Sequence, residues 1–170
     1  FKVIQKRFPK VDLIVMFGWV SSLISTSLYA KDKSYYDSLF LNKTVNNPLD
    51  DLNAVFGLNT ARDELATLGN NLNDPLVSPI IRSALNLNED ELEALIEEEL
   101  AGNYDLTLTN LSFLCRITTL ARALNLSIAH YLILKNLSAI TPVTDLSTNI
   151  EPSNILNFIE LHDLLKDNKI

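Results

Sequence analysis

A five-residue pattern that occurs twice constrains this chain more than any other feature of its sequence. Ala-Leu-Asn-Leu-Asn at 84–88 returns as Ala-Leu-Asn-Leu-Ser at 123–127, a spacing of 39 residues. In each copy we predict that one helix ends, an apolar pair crosses a short corner, and Asn88 or Ser127 caps the next helix. Helical repeat proteins have periods in this range, but a solenoid needs at least three repeats. The pattern therefore predicts a helix–corner–helix module used twice.

The sequence around the two copies predicts an all-α fold. Leucine and alanine recur at helical spacing, and only 4 glycines interrupt the chain of 170 residues. Asn88 with Glu91 is a variant of the capping box, Thr107 is a candidate N-cap, and Asp74 with Pro75 is typical of a helix start. We predict about seven helices joined by short capped corners, at residues 11–24, 34–41, 75–85, 88–101, 107–124, 127–137 and 152–166.

The helix at 107–124 should carry the main apolar stripe and pack against the helices that start at Ser127 and Pro152. The stripe consists of Leu111, Leu114, Ile117, Thr118, Ala121 and Leu124. Residues 50–74 and 142–150 lack a helical pattern and are predicted to be loops, the first with short helical turns. The chain is expected to form an N-terminal helical subdomain at 1–74 and a C-terminal one at 75–170, or a single continuous domain.

Residues 13–30 carry no charge, a property that they share with membrane spans and signal segments. The strongly apolar part covers only 13–20, and five hydroxyl residues follow it, whereas a span needs about 20 predominantly apolar residues. Leu28 is too large for the usual position before a signal cleavage site. A buried helix is the favoured interpretation, with no membrane insertion by this segment.

The charge of the chain bears on its partners. The net charge of −7 argues against nucleic acid, because a nucleic-acid footprint needs clustered Lys and Arg. Seven acidic residues lie between 89 and 99, where we expect a solvated helix face rather than a calcium loop.

No catalytic, cofactor-binding or metal-binding residue is predicted, and we expect that the chain is not an enzyme. His130 and His162 have no metal-binding partner at helical spacing, and a site that they share with Cys115 is disfavoured because zinc ligands are usually closely spaced. A Gly-x-Ser-x-Gly elbow and a glycine-rich phosphate loop are both absent from the sequence.

Two segments of the chain together carry a family resemblance. The first reads Tyr-Tyr-Asp-Ser-Leu-Phe-Leu-Asn-Lys at 35–43, with Asn47-Pro48 after it. The second reads Leu-Thr-Leu-Thr-Asn-Leu-Ser at 106–112 and Leu-Ala-Arg-Ala-Leu-Asn-Leu-Ser at 120–127. They are similar to two successive segments of the A subunit of bacterial insecticidal toxin complexes (Tc toxins). The predicted helix around Trp19 and the one from Pro152 keep the family's order, so the resemblance covers most of 11–165. Residues 53–73 are less recognisable.

The resemblance implies a non-catalytic segment of the α-helical shell of a very large subunit. That subunit forms a homopentamer around a translocation channel, binds target cells and delivers a toxic payload carried by B and C subunits. The implied partners of this segment are other parts of the same A subunit, and the implied location is secreted or on the bacterial surface. The family supplies no catalytic residues to transfer.

Two other functions remain open from the residues alone. A generic helical scaffold or adaptor domain for protein–protein interaction would show the same amphipathic helices and capped corners. A helical enzyme is the third alternative, because fold class does not determine function.

Overall fold

The computed structural model describes residues 2–7, 35–42, 55–143 and 152–168. These residues are all-α, as predicted, and form two isolated β-bridges but no strand. Six of the seven predicted helices fall within the described residues and are helical, and one further short helix was not predicted. In chain order the helices are α1 (Lys2–Arg7), α2 (Tyr35–Phe40), α3 (Ser78–Leu85), α4 (Glu89–Glu99), α5 (Leu108–Ala123), α6 (Ile128–Ser138) and α7 (Pro152–Asp167).

Most helix boundaries lie within two residues of the predicted ones, and the start of α3 is the exception. The predicted start at Asp74 and Pro75 was wrong, because α3 begins at Ser78 with Pro79 in its first turn. Asp74 instead builds a separate turn, in which its Oδ1 accepts from Leu76 N at 2.8 Å and its backbone oxygen accepts from Val77 N at 2.9 Å. The side chain of Asp74 thus caps a turn that precedes the helix.

Helix α5 is the centre of the core, and it is buried far beyond one stripe. Every residue of the predicted stripe is buried, as is the rest of the central part of the helix. The buried face of α5 is wider than the predicted stripe, because Ser112, Phe113, Cys115 and Arg116 are buried as well. A helix covered on most sides loses the one-sided pattern that an amphipathic helix shows.

The helices after residue 77 form two layers. Helix α3 packs beside α5, and α4 packs beside α6, while α5 meets α6 at a corner of 94°. The predicted contact between α5 and α6 is therefore confirmed. Helix α7 reaches α6 through the rings of Phe158 and Tyr131, whose centroids are 5.5 Å apart. The pair α3–α4 thus lies against the pair α5–α6 as one layer against the next.

The segment at 55–74 is a loop with turns, as predicted, and it is tied to the connection between α4 and α5. Leu72 N donates to Tyr104 O at 2.7 Å and Leu106 N donates to Asn70 O at 2.8 Å. The segment also holds α2, because Tyr36 Oη donates to Phe56 O at 2.7 Å.

Helix α1 was not predicted, because six residues are too few to show a helical period. Ile4 is buried, and Arg7 forms an ion pair of 2.8 Å with Asp163 on α7.

Buried side chains from all the described helices form one hydrophobic cluster. The division into 1–74 and 75–170 stays a prediction, and the predicted helix at 11–24 and loop at 144–150 lie outside the described residues.

Among the described helices, none is by itself long and apolar enough to cross a membrane. Helices α5 and α6 satisfy the length and composition criteria only when taken together, across their 94° bend.

Candidate functional site

The two copies of the five-residue pattern form two corners with the same backbone hydrogen bonds. In the first corner Asn86 has a left-handed φ of 48°, and Leu87 N donates to Arg82 O at 2.9 Å. In the second, Asn125 has φ 58°, and Leu126 N donates to Ala121 O, also at 2.9 Å. In both corners, the residue after the left-handed position donates its N–H to a carbonyl oxygen in the last turn of the helix. This bond defines the Schellman motif at a helix end.

The helix starts that follow the two corners also correspond. Asn88 Oδ1 accepts from Glu91 N at 2.8 Å, and Ser127 Oγ accepts from His130 N at 3.2 Å. Glu91 completes the predicted capping box, because its side chain accepts from Asn88 N at 3.0 Å. The predicted module is therefore confirmed at the level of its caps and turns. The Schellman bonds and the N-cap bonds of the two copies are related by the same 39-residue shift, while the second bond of the capping box is formed in the first copy.

A side chain joins one corner to the other. Arg122 lies in the last turn of α5, and its Nη2 donates to Asn86 O at 3.3 Å. The Asn86 carbonyl is one of the helix-end groups that helical bonds leave free, so a guanidinium donor and positive charge are favourable there. The arginine of the Leu-Ala-Arg segment thus fixes one helical pair against the other.

The contact between α4 and α6 contains the carboxylate that is most deeply buried among the described residues. The side chain of Glu99 is 2% exposed and forms an ion pair of 2.9 Å with Lys135 Nζ. Burial raises the pKa of Glu99 above its ordinary value, while the hydrogen bond and charge of Lys135 oppose that shift. A buried pair of this kind gives little net stability, but removal of one partner is costly because it leaves the other charge buried and unpaired.

Tyr131 extends this polar cluster towards α7. Its hydroxyl and Glu99 Oε1 are buried, and neither has a hydrogen-bond partner among the described residues. Burial, followed by the charge of Glu99, raises the pKa of the Tyr131 phenol, which therefore stays protonated. The cluster can hold the α4–α6 contact in one register.

The three residues considered for metal binding are not brought together. His130 is exposed at the start of α6, and its Nδ1 lies 3.0 Å from Ser127 Oγ. His162 lies on α7 beside Asp163, with 3.3 Å between Nδ1 and Oδ1. Cys115 is buried in α5, where burial raises the pKa of its thiol to about 12. No group of three or more potential metal ligands occurs in the part of the chain that the structure describes.

Two surface cavities lie beside the helical pairs. One of about 270 Å³ lies between α3, α4 and Tyr104 and is bordered by Glu89 and Glu93. The other, of about 350 Å³, lies between Leu65, Leu68 and the start of α5. Neither is lined by a histidine or cysteine, and the carboxylates at their rims are exposed.

Sequence reasoning missed the buried charges. Arg116 is 1% exposed, and its guanidinium carbon lies 5.7 Å from the centroid of the Phe113 ring, within the range of a cation–π contact. Arg62 forms two bonds of 2.8 Å to the carboxylate of Asp37, and together they hold the 55–74 loop on α2. The side chain of Arg62 stays 40% exposed, whereas Arg116 lies in a stretch where the apolar pattern gives no reason to expect a buried cation.

No family model, curated protein or solved structure matches this chain.

Proposed function

We propose that this chain is a non-catalytic helical scaffold segment, part of the shell of a large toxin-complex A subunit that delivers a toxic payload. Its partners are other parts of that subunit, which assembles as a homopentamer and works with B and C subunits. The protein is secreted or displayed on the bacterial surface. The observation that carries the proposal is that the described residues of the family-like segments hold the fold together.

The first segment places its aromatic residues in the core. Tyr36 and Phe40 are fully buried, and the Phe40 ring stacks on Phe56 with centroids 5.3 Å apart. Asn42 Nδ2 donates to Ser38 O at 2.7 Å and closes the end of α2. A segment built from core and helix-end residues is what a packed shell requires.

The second segment supplies the caps and the axis of the core. Thr107 caps α5, its Oγ1 accepting from Asn110 N at 3.1 Å, and Asn110 Nδ2 donates to Asp105 O at 2.8 Å. Leu111 and Leu120 are fully buried, and Ser127 caps α6. The polar residues of this segment bind backbone groups at helix starts and the leucines fill the core, so each residue has a structural role.

The alternative is a generic helical scaffold or adaptor with no link to toxin complexes. The same caps and core support it equally, because a stacked helical pair suits any protein that presents a fixed surface. The two candidates differ in the size and behaviour of the protein that contains this chain.

The test is the reading frame that encodes residues 1–170, followed by a liposome assay of the isolated chain. A frame many times longer, whose product sediments as a pentamer, is the expected result. The isolated chain should release no dye from liposomes at acidic, neutral or alkaline pH. A short frame would favour the adaptor, and efficient dye release by the chain alone would refute its assignment to the shell.

A further inference from the structure

The cavity of about 270 Å³ beside α4 combines an apolar base with carboxylates at its border. Leu92 and Ile96 line it, and because both are buried they form its base. Glu89 and Glu93 line it as well, and both are exposed. These four positions recur along α4 at the spacing of one helix face. A ligand in the cavity would therefore meet methyl groups at the base and carboxylates at the opening.

The carboxylates on this face outnumber the cations that neutralise them. Glu89 is paired with Arg82, whose Nη1 lies 3.1 Å from Glu89 Oε2. Glu93 and Glu97 form no ion pair with any residue that the structure describes. Tyr104, which also lines the cavity, donates its hydroxyl to Glu97 Oε1. That hydrogen bond, then burial and the charges of Glu97 and Glu93, raise the pKa of the Tyr104 phenol. Charge complementarity therefore favours a cation at the opening.

The remaining wall supplies further hydrogen-bond acceptors. Asn73 lines the cavity from the turn before α3, and Ser78 lines it from the first residue of that helix. A guanidinium group has five N–H donors in one plane, stacks on aromatic rings and follows an apolar stem. An ammonium group is a strongly hydrated point charge with three donors. Acceptors on two walls, with the Tyr104 ring between an apolar base and the solvent, suit the guanidinium better.

We infer that this cavity binds the side chain of an arginine from a partner polypeptide. Its methylene stem lies on Leu92 and Ile96, and its guanidinium donates to Glu93 beside the Tyr104 ring. A volume of about 270 Å³ suits a single side chain and lies below the range of about 300–1,000 Å³ for small-molecule sites. Arginine is also among the residues that most often anchor protein–protein interfaces. The helical scaffold thereby has a specific contact point for another polypeptide.

A second copy of this chain does not supply that arginine. Every arginine of the chain lies among the described residues and already has a partner. The pairs are Arg7 with Asp163, Arg62 with Asp37, Arg82 with Glu89, Arg116 with the Phe113 ring and Arg122 with Asn86 O. The net charge of −7 on each copy opposes self-association further. The partner is therefore a different polypeptide segment, with an exposed arginine.

The test uses Nα-acetyl-arginine methylamide as the probe, because it carries the side chain between two peptide groups. Amide correlation spectra of the ¹⁵N-labelled chain are recorded as the probe is added. Saturable shifts in the millimolar range are expected for residues 89–97 and Tyr104. The citrulline derivative has the same shape without the charge, and it should bind at least about tenfold more weakly.

Two matched variants separate the cavity from general electrostatic attraction. Glu93→Gln removes a carboxylate that lines the cavity, and Glu98→Gln removes the same charge from an exposed position of α4 outside the lining. Glu93→Gln should weaken binding at least about fivefold, whereas Glu98→Gln should weaken it less than about twofold. Tyr104→Leu keeps an apolar side chain but removes the ring, and it should also weaken binding. Circular dichroism verifies that every variant keeps the wild-type fold.

Several outcomes would overturn the inference. An absence of saturable shifts, or equal binding of the citrulline derivative, would show that the cavity does not recognise a guanidinium. Equal weakening by Glu93→Gln and Glu98→Gln would reduce the binding to attraction by the charge of α4. Equal or tighter binding of the lysine derivative would refute the choice of arginine. Tighter binding of free arginine would make the ligand a small molecule rather than a polypeptide.

Discussion

Leu114→Ala should be among the most destabilising conservative substitutions in this chain. Leu114 is fully buried near the middle of α5, and its neighbours along that helix are buried too. The lost side-chain carbons are worth about 2.5 kcal/mol of transfer free energy. A cavity in a helix that is covered on most sides collapses poorly, which adds about 1.5 kcal/mol.

The expected loss is therefore about 4 kcal/mol in the free energy of unfolding, or a fall of about 8–16 °C in Tm for a chain of this size. Urea titration followed by circular dichroism measures it. Leu137→Ala is the matched control, because Leu137 is exposed, and it should lie within about 0.5 kcal/mol of wild type. A loss below about 1 kcal/mol for Leu114→Ala, or an equal loss for the control, would refute the placement of α5 at the centre of the core.

Three further predictions test the corner, the buried carboxylate and the thiol. Asn125→Ala should cost about 1 kcal/mol and Asn125→Gly almost nothing, because φ is 58° there; equal costs in urea titrations would contradict the left-handed turn. Burial raises the pKa of Glu99 above 4.5, so Glu99 contributes most to stability in acid and less as pH rises through its folded-state pKa. Glu99→Gln should therefore gain stability relative to wild type from about pH 4 to pH 7, and a pH-independent difference would argue against a buried carboxylate. Cys115, with a thiol pKa of about 12, should not react with a thiol reagent at pH 8 until urea unfolds the protein; rapid native labelling would place it at the surface.

The corners and caps were predictable because each has a local chemical signature. Asn88 with Glu91 specifies a capping box within four residues, and the structure forms it with both bonds. The recurrence of the pattern at 123–127 was enough to predict a second corner of the same kind. Such features depend on backbone groups close in sequence, so a single chain reveals them.

The start of α3 and the surroundings of α5 were not predictable on the same basis. Asp74 can cap either a helix or an isolated turn, and only the packing of Val77 and Ile80 places the helix start after it. Arg116 is buried because elements distant in sequence cover α5 on the side that a stripe model assigns to solvent. The exposure of Ile133 and Leu137 was missed for a related reason, since both resemble core residues in the sequence.

The α4–α6 contact is the most direct test of the stacked pairs, and nuclear Overhauser effects in the isotopically labelled chain measure it. Cross-peaks are predicted between the Glu99 and Lys135 side chains, whose charged groups lie 2.9 Å apart. A second set should link the Tyr131 and Phe158 rings, with centroids 5.5 Å apart. A well-dispersed spectrum that lacks the Glu99–Lys135 cross-peaks, with α4 and α6 still helical, would contradict the stacking of the two pairs.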